Sequence, residues 1–423
     1  MKETKFKDTE IGKIPEEWSI CNFGDIFTFF SNNTLSRDML GERGDMHNVH
    51  YGDVLIKYGS TLDVEKESIP SIKEEYCYKS TNKIEDGDVI IADTAEDETV
   101  GKACEILNVG SKYIVSGLHT IWVRPKGNLF AAKYLGYAMN GATYHNQLLP
   151  LIQGTKVSSI SKAAIKDTCI IVPPINEQHS IASALTSIDN LIASLGKLIE
   201  KKKNIKQGAM QQLLTGKTRL KGFNEPWMEH TIDELFDLGN GYTPSKSNPA
   251  YWTNGTIPWF RMEDIRTNGR ILKDSIQHVT PEAVKGNGLY PKYSIILSTT
   301  ATIGEHALLI ADSLANQQFT FLNRKVNRRD MIDIIFFYHY CFILGKWCRD
   351  NINAGGLLAV NMDDLKNHSI YIPKSIAEQQ AIATILTKMD NEITALEAKR
   401  AKYKAIKQGM MQQLLTGKIR LIS

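Results

Sequence analysis

The stretch at 206–220 reads KQGAMQQLLTGKTRL, and the stretch at 407–421 reads KQGMMQQLLTGKIRL. The two differ only at Ala209/Met410 and Thr218/Ile419. Gly216-Lys217-Thr218 has the form of the tail of a phosphate-binding loop. Such a loop needs GxxxxGK[ST] between a strand and a helix, so that free backbone N–H groups cradle phosphates. Gln211 stands where the first glycine belongs, and Ile419 replaces the hydroxyl in the second copy. Gly216 falls at the end of a predicted helix, where carbonyls point outward and repel an anion. The stretch is therefore a repeat and not a nucleotide site.

Working outward, the same 201-residue offset relates Glu177-Gln178 to Glu378-Gln379 and Asp189-Asn190 to Asp390-Asn391. Further upstream the match is fainter: Ile160-Ser161 faces Val360-Asn361, and Val172-Pro173 faces Ile372-Pro373. The starts also correspond. PEEWSICNFGDIF at 15–27 is similar to EPWMEHTIDELF at 225–236, with Trp18 and Trp227 each nine residues before a Phe. The chain is thus two copies of one unit, a variable globular part followed by a near-identical tail.

The tails read as long helices. Ile181, Ile188 and Leu195 recur every seven residues, accompanied by Leu185, Ile192 and Ile199. In the second tail Ile382, Met389, Leu396, Tyr403 and Met410 hold the heptad, accompanied by Leu386 and Ile393. That spacing is a coiled-coil-like seam. VPPINE and IPKSIAE are good helix starts, and Gly216 and Gly417 good stops. About 38 residues at ~1.5 Å each make a rod of about 57 Å, and two rods with matching seams are expected to pair. The globular parts read as mixed. GDVIIADT (87–94), YIVSGLHTIWVRP (113–125), YSIILSTT (293–300) and FTFLNRKV (319–326) are β-rich, and 128–149 and 331–352 helical. MDD at 362–364 reads as a helix start, and GNG at 239–241 and 286–288 as turns. The expected divisions are 1–172, 173–220, 221–371 and 372–423.

Bulk properties exclude several classes. The 423 residues are 42% hydrophobic and carry a net charge of only +3. No apolar run of about 18 residues is present, the N-terminus is charged, and the six cysteines are scattered without a CxxC. A cytoplasmic location is expected. SNPAYW at 247–252 resembles the (N/D/S)PP(Y/F/W) motif of amino-methyltransferases, but Ala250 replaces the second proline and no FxGxG methyl-donor loop accompanies it. The carboxylates of EDGD (85–88) and ADTAEDE (92–98) lack the D…ExK pattern of nucleases, and no metal-ligand spacing is present. Catalytic, cofactor and metal residues are expected to be absent.

Positive charge gathers on the tails. Residues 197–219 hold seven Lys/Arg against Glu200 alone, and 398–420 hold seven against no acid. Three readings fit: a surface that tracks a phosphate backbone, a dock for an acidic partner, and a solvated face. In the globular parts the candidate readers of base edges and phosphates are Asn32, Asn33, Arg37, Thr94 and His119, then Tyr242, Thr243, Ser245, Lys246, Arg261, Arg266, Gln317 and Gln318. Arginine pairs bidentately with guanine, and Gln or Asn with adenine, in the major groove.

With these residues in view, the chain resembles the specificity (S) subunits of type I restriction–modification enzymes. The resemblance runs through IGKIPEEW (11–18), GYTPSKSNPAYWTNGTIPW (241–259), IKQGAMQQLLTGKTRL (205–220) and the repeat of the last. It implies an α+β protein: two α/β target-recognition domains separated by two long antiparallel coiled-coil-like helices, in a pseudo-twofold internal repeat. Each domain then reads half of a split site in double-stranded DNA. The helices set the separation and dock two modification (M) subunits, and two restriction (R) subunits can join. S-adenosylmethionine, ATP and Mg are expected on those partners and no cofactor on this chain. A stand-alone two-headed DNA-binding or scaffold protein without M or R partners, and a fused enzyme with its own activity, are the alternatives.

Overall fold

A computed structural model describes residues 4–422 except 79, 81, 155, 287 and 354–357. The turn expected at 286–288 therefore lies partly outside the described residues. The chain forms two compact units, 1–196 with 398–423, and 197–397. Each unit contains one globular domain, the N-terminal part of the long helix that follows it, and the C-terminal part of the other long helix.

In the first domain five strands form the main sheet: β1 (Phe27–Phe30), β2 (Thr61–Asp63), β3 (Val89–Ala92), β4 (Ala103–Leu107) and β5 (Thr120–Pro125), in the order β1-β5-β3-β4-β2. Both faces are covered, which is why β3 is apolar throughout and buried at every position. Val89 and Ile91 enter a core with Phe23, Phe27 and Leu148. Ile90 and Ala92 enter another with Val54, Tyr58 and Trp122, as the two-residue period of a strand requires. A smaller sheet places Met46–Val49 between Tyr113–Ser116, which is parallel to it, and Ser71–Ile72.

Two features depart from the sequence reading. The β-rich run 113–125 splits into two strands in different sheets, broken by a turn in which His119 has φ 54°. The helix expected over 128–149 is divided into Tyr134–Ala138 and Ala142–Leu148. The buried Glu105 side chain accepts from the N–H groups of Lys133 and Gly136, and Asn140 bonds both N–H and C=O of Ala103. These polar anchors on β4 interrupt the helix.

The first long helix, α1 (Ile175–Leu213), follows. The second domain then repeats the plan with β6 (Phe236–Asn240), β7 (Ile271–Leu272), β8 (Ile295–Ser298), β9 (His306–Leu309) and β10 (Phe319–Arg324), in the order β6-β10-β8-β9-β7. Its smaller sheet sets Ile257–Phe260 between Leu314–Ala315 and His278–Val279. Ile334–Asp350 forms the long helix of the domain, capped by Asp333. The Met362–Asn367 helix starts where MDD was read, capped by Asn361. The second long helix is α2 (Ile376–Leu414).

Both α1 and α2 have 39 residues, about 58 Å at ~1.5 Å per residue. Each ends at a left-handed glycine, Gly216 (φ 70°) and Gly417 (φ 69°). There the N–H of Thr218 reaches back to Gln212 O and that of Ile419 to Gln413 O, so the chain past each left-handed glycine folds back to satisfy a carbonyl of the last turn. In the seam Ile181, Ile188, Leu195 and Ile382 are buried, and Met389 and Leu396 half-buried. Within the first unit Ile181 and Leu185 pack with Leu414 and Leu415. Within the second, Ile382 and Leu386 pack with Leu213 and Leu214. In both units the two helix segments run antiparallel.

Candidate nucleic-acid interface

The repeated motif closes each unit. In the second unit, Arg219 donates from Nε and Nη2 to both carboxylate oxygens of Glu378 at 2.6 Å. In the first, Arg420 holds Glu177 in the same fork at 2.6 and 2.7 Å. Both carboxylates are buried. Each guanidinium also lies over the tryptophan that starts its domain, Trp227 or Trp18. The motif glycines belong to this docking. A Cβ on Gly417 would come within 2.3 Å of Pro15, and one on Gly216 within 3.3 Å of Trp227. Gln178 and Gln379 make matching bonds, each donating to the carbonyl of the preceding proline, Pro173 or Pro373. The units differ in detail: Arg420 also pairs with Glu17, whereas Arg219 donates to Glu225 O. Trp18 Nε1 donates to Glu177 at 2.9 Å, whereas Trp227 Nε1 is buried without a partner among the described residues.

A second pair of contacts obeys the same exchange. Lys407 binds Asp189 in the first unit, and Lys206 binds Asp390 in the second. Lys202–Glu392 and Lys203–Glu397 add to the latter. Part of the basic tail is therefore spent on pairing the helices. Lys197, Lys201, Lys217, Lys399, Lys402, Lys404 and Lys418 are exposed and make no ion pair among the described residues.

The candidate reading residues of the first domain gather where the main sheet meets the smaller one. Asn33 donates its N–H to Ser116 O, and its side-chain oxygen accepts from Asn48 Nδ2 and Leu35 N. Asn32 bonds Gly117 O. These two asparagines brace the turn. Arg37 is 60% exposed and pairs with the buried Asp53. Thr94 Oγ1 donates to Asp93 Oδ1 at 2.8 Å and lies 3.3 Å from His119 Nδ1. His119 stands edge-on to Tyr51, which neighbours His50. Burial holds the His50 imidazole below its ordinary pKa, and its Nδ1 accepts the Gly52 N–H at the start of the Tyr51–Ile56 helix.

The second domain brings different residues to the same place. Tyr242 N–H donates to Ala315 O, as Asn33 does to Ser116 O, and its hydroxyl bonds Ala283 O and Lys285 N. Trp259 Nε1 donates to Tyr242 O, and Arg261 lies over the Trp259 ring while pairing with Glu263. Thr243 Oγ1 donates to Gln317 Oε1, and Gln318 Oε1 accepts from Asn316 Nδ2. Ser245 bonds Ser247. Lys246 is exposed on the same loop, and Arg266 is exposed in the last turn of the Met262–Asn268 helix.

Backbone bonds fix the correspondence between the domains. Asp93 N donates to His119 O as Thr299 N does to Gln318 O, and Ile160 N to Asp93 O as Val360 N does to Thr299 O. His50-Tyr51-Gly52-Asp53 thereby matches Arg261-Met262-Glu263-Asp264, each following the central strand of the smaller sheet. Sequence reasoning missed His50, Tyr51, Asp53 and Asn316. HYGD and RMED share only their last residue, so the relation emerges from the strand register alone. Among the described residues no three His, Cys, Asp or Glu side chains converge as metal ligands, and no helix is long and apolar enough to cross a membrane.

The family model of the type I restriction modification DNA specificity domain matches twice, over residues 15–206 and 224–408. Among curated proteins, the specificity subunit of the type I restriction enzyme EcoprrI from Escherichia coli is 47% identical over 173 residues, 40% of this chain and 43% of that protein. The match thus spans less than half the length of that relative. The putative MjaX specificity subunit of Methanocaldococcus jannaschii is 26% identical, covering 99% of this chain and 98% of that one. The fold is similar to the type I S subunit from M. genitalium (TM-score 0.56, 14% identity, 94% and 96% of the chains). It is also similar to a chain from a study of complex assembly and conformational transition of the type I restriction–modification system (TM-score 0.60, 15% identity, 96% and 99% covered).

Proposed function

The chain belongs to the type I restriction modification DNA specificity family, and on that premise we propose that its two globular domains, 1–172 and 221–371, each read one half of a bipartite site in double-stranded DNA. The chain is the non-catalytic recognition component. The helical segments 173–220 and 372–423 fix the separation of the half-sites and dock two M subunits, with two R subunits as further partners. Methyl transfer from S-adenosylmethionine and any ATP- and Mg-dependent cutting belong to those partners.

One observation carries this reading. The two domains share sheet order and backbone bonding at the rim, yet the side chains at matching positions differ: Asp93, Thr94 and His119 in one, and in the other Thr300 and Gln318 beside a buried Thr299. A common scaffold with divergent rim chemistry suits two different half-sites. Two such heads on one chain bind cooperatively when both half-sites are in reach. The exposed lysines of the helices supply charge for phosphates or for an acidic partner surface.

The test is genome-wide mapping of adenine methylation in a host that expresses this chain with its M subunit. The expected result is one asymmetric motif interrupted by a spacer of fixed length. An uninterrupted motif, or methyl transfer by the purified chain alone, would overturn the reading.

A further inference from the structure

Resting on the reading of the first domain as a DNA-recognition head, we propose that Asp93 and His119 together select a cytosine in the half-site of that domain. The argument starts from the turn. His119 has φ 54°, a left-handed conformation uncommon outside glycine. Strained backbone of this kind collects at functional positions. It persists here because Asp93 N–H donates to His119 O and Ile160 N–H to Asp93 O, which lock the turn to its neighbour. The ring of Tyr51 meets His119 edge-on at 5.3 Å. The imidazole is thus held in place while its side chain remains 47% exposed.

The hydrogen bonds then set the chemistry. Thr94 spends its hydroxyl proton on Asp93 Oδ1 at 2.8 Å. His119 Nδ1 faces two oxygens that can only accept from it, Asp93 Oδ1 at 3.4 Å and Thr94 Oγ1 at 3.3 Å. Nδ1 therefore carries the proton, and in the neutral ring Nε2 is an acceptor. Asp93 Oδ2 and His119 Nε2 make no hydrogen bond among the described residues. With the ring neutral, the two acceptors left unbonded on the turn are Asp93 Oδ2 and His119 Nε2, on side chains that meet through Oδ1 and Nδ1 at 3.4 Å.

In the major groove that pair discriminates. Cytosine presents its N4 amino group with the non-accepting C5–H on one side, the neighbouring O6 on the other side belonging to the paired guanine, and a carboxylate accepts from N4. Adenine presents an amino group beside the acceptor N7, which a second protein acceptor repels. Guanine and thymine present O6 with N7, or O4, and both are repelled. At the corresponding positions of the second domain the Thr299 hydroxyl is buried against Thr320 and Gln318 carries an amide, so no carboxylate–imidazole pair stands there and the two domains differ in this preference.

The test uses the full chain in complex with its M subunits. Methylation is measured on duplexes carrying each base at every position of the mapped site. Wild type is expected to require cytosine at one position of one half-site. Asp93→Asn turns the unbonded acceptor into a donor, and should cut the preference for cytosine there roughly tenfold or more. The rest of that half-site and the whole of the other should be unchanged. His119→Gln should weaken the same position and no other. Intact recognition of the other half-site shows that a variant is folded. Retained cytosine preference in both variants, or a uniform loss on all sequences, would overturn the assignment. A wild-type chain without a bipartite motif would overturn the recognition reading itself, and this assignment with it.

Discussion

Replacing Arg219 by methionine probes the closure of the second unit. The substitution keeps the aliphatic stem and removes the fork that holds Glu378. Glu378 is fully buried, and its carboxylate accepts from Arg219 alone among side chains of the described residues. Trp227 Nε1, buried nearby, makes no bond to it. Removing one member of a buried pair costs about 3–5 kcal/mol, because the other charge is left desolvated. The Arg219 side chain is 30% exposed, so water can enter where the guanidinium was, and the lower end, about 3 kcal/mol, is expected. At ~2–4 °C per kcal/mol for a body of about 200 residues, the melting temperature should fall by about 6–12 °C.

The control is Glu378→Gln in the Arg219→Met background. A neutral amide in place of the stranded carboxylate should recover about 2 kcal/mol, a coupling that a double-mutant cycle reads directly. Urea unfolding followed by circular dichroism supplies the free energies, and calorimetry the melting temperatures. In the matching Arg420→Met change two effects oppose: Arg420 is only 8% exposed, so water replaces it less readily, but Glu177 keeps the Trp18 indole as a donor at 2.9 Å, and a cost no larger than that of Arg219→Met is expected. A hydrogen bond to a charged acceptor is worth about 1.5–3 kcal/mol. If Arg219→Met lies within about 0.5 kcal/mol of wild type, or the two substitutions add without coupling, the closure is not the buried ion pair described.

Three further outcomes are expected. Trp18→Phe should destabilise the first unit by about 1.5 kcal/mol or more through the lost bond to Glu177, whereas Trp227→Phe removes a nitrogen that already lacks a partner; equal losses in urea would contradict this asymmetry. Four residues, one helical turn, inserted after both Glu200 and its counterpart Ala401 add about 6 Å, and should lengthen the DNA spacer by one or two base pairs at ~3.4 Å each; methylome mapping should find both half-sites unaltered, and a changed half-site would contradict the assignment of spacing to the helices. Burial raises the Glu105 carboxyl from 4.5 to about 7 against the lowering effect of the Gly136 and Lys133 amides. The folded chain then holds a proton that the unfolded chain releases, so this contribution is full below pH 4.5 and is lost as pH rises through about 7. That gap corresponds to about 3 kcal/mol, and Glu105→Gln should flatten the pH dependence of unfolding between 4.5 and 8; an unchanged slope would remove Glu105 as its source.

How much of this was legible in the sequence depends on the range over which the deciding contacts act. The helices were legible because heptads, proline starts and glycine stops are local, and Gly216 and Gly417 adopt the left-handed stop their positions suggested. The two-copy plan was legible because an offset needs no structure to be seen. The split of 113–125 was hidden, since apolar residues continue on both sides of a turn set by bonds to the distant Asp93. Glu105 interrupts the 128–149 helix from a strand about thirty residues away. Rim residues were hardest to read. Asn33, Tyr242 and Arg37 are all polar loop residues in the sequence. Only the fold tells that the first two spend their polar atoms on bracing, while Arg37 and His119 remain largely exposed.

The reciprocal docking gives a physical reason for the near-identity of the stretches 206–220 and 407–421. The motif that ends α1 closes on Glu378 and Trp227 in the second unit, and the motif that ends α2 closes on Glu177 and Trp18 in the first. Both receptors are built from the same set: a tryptophan at the domain start, and the Glu-Gln pair in the first turn of a long helix. One receptor shape used twice demands one ligand shape used twice, so Arg, Gly and the paired leucines recur. The two positions that differ lie where that demand lapses. Thr218 and Ile419 are exposed, and Ile419 is 52% so. Ala209 and Met410 are half-buried, but they pack against different cores, Ala209 beside residues of the second domain and Met410 beside Trp18 and Tyr134 of the first. Where the partners are equivalent the two motifs are identical, and where the partners are solvent or domain-specific side chains the motifs diverge.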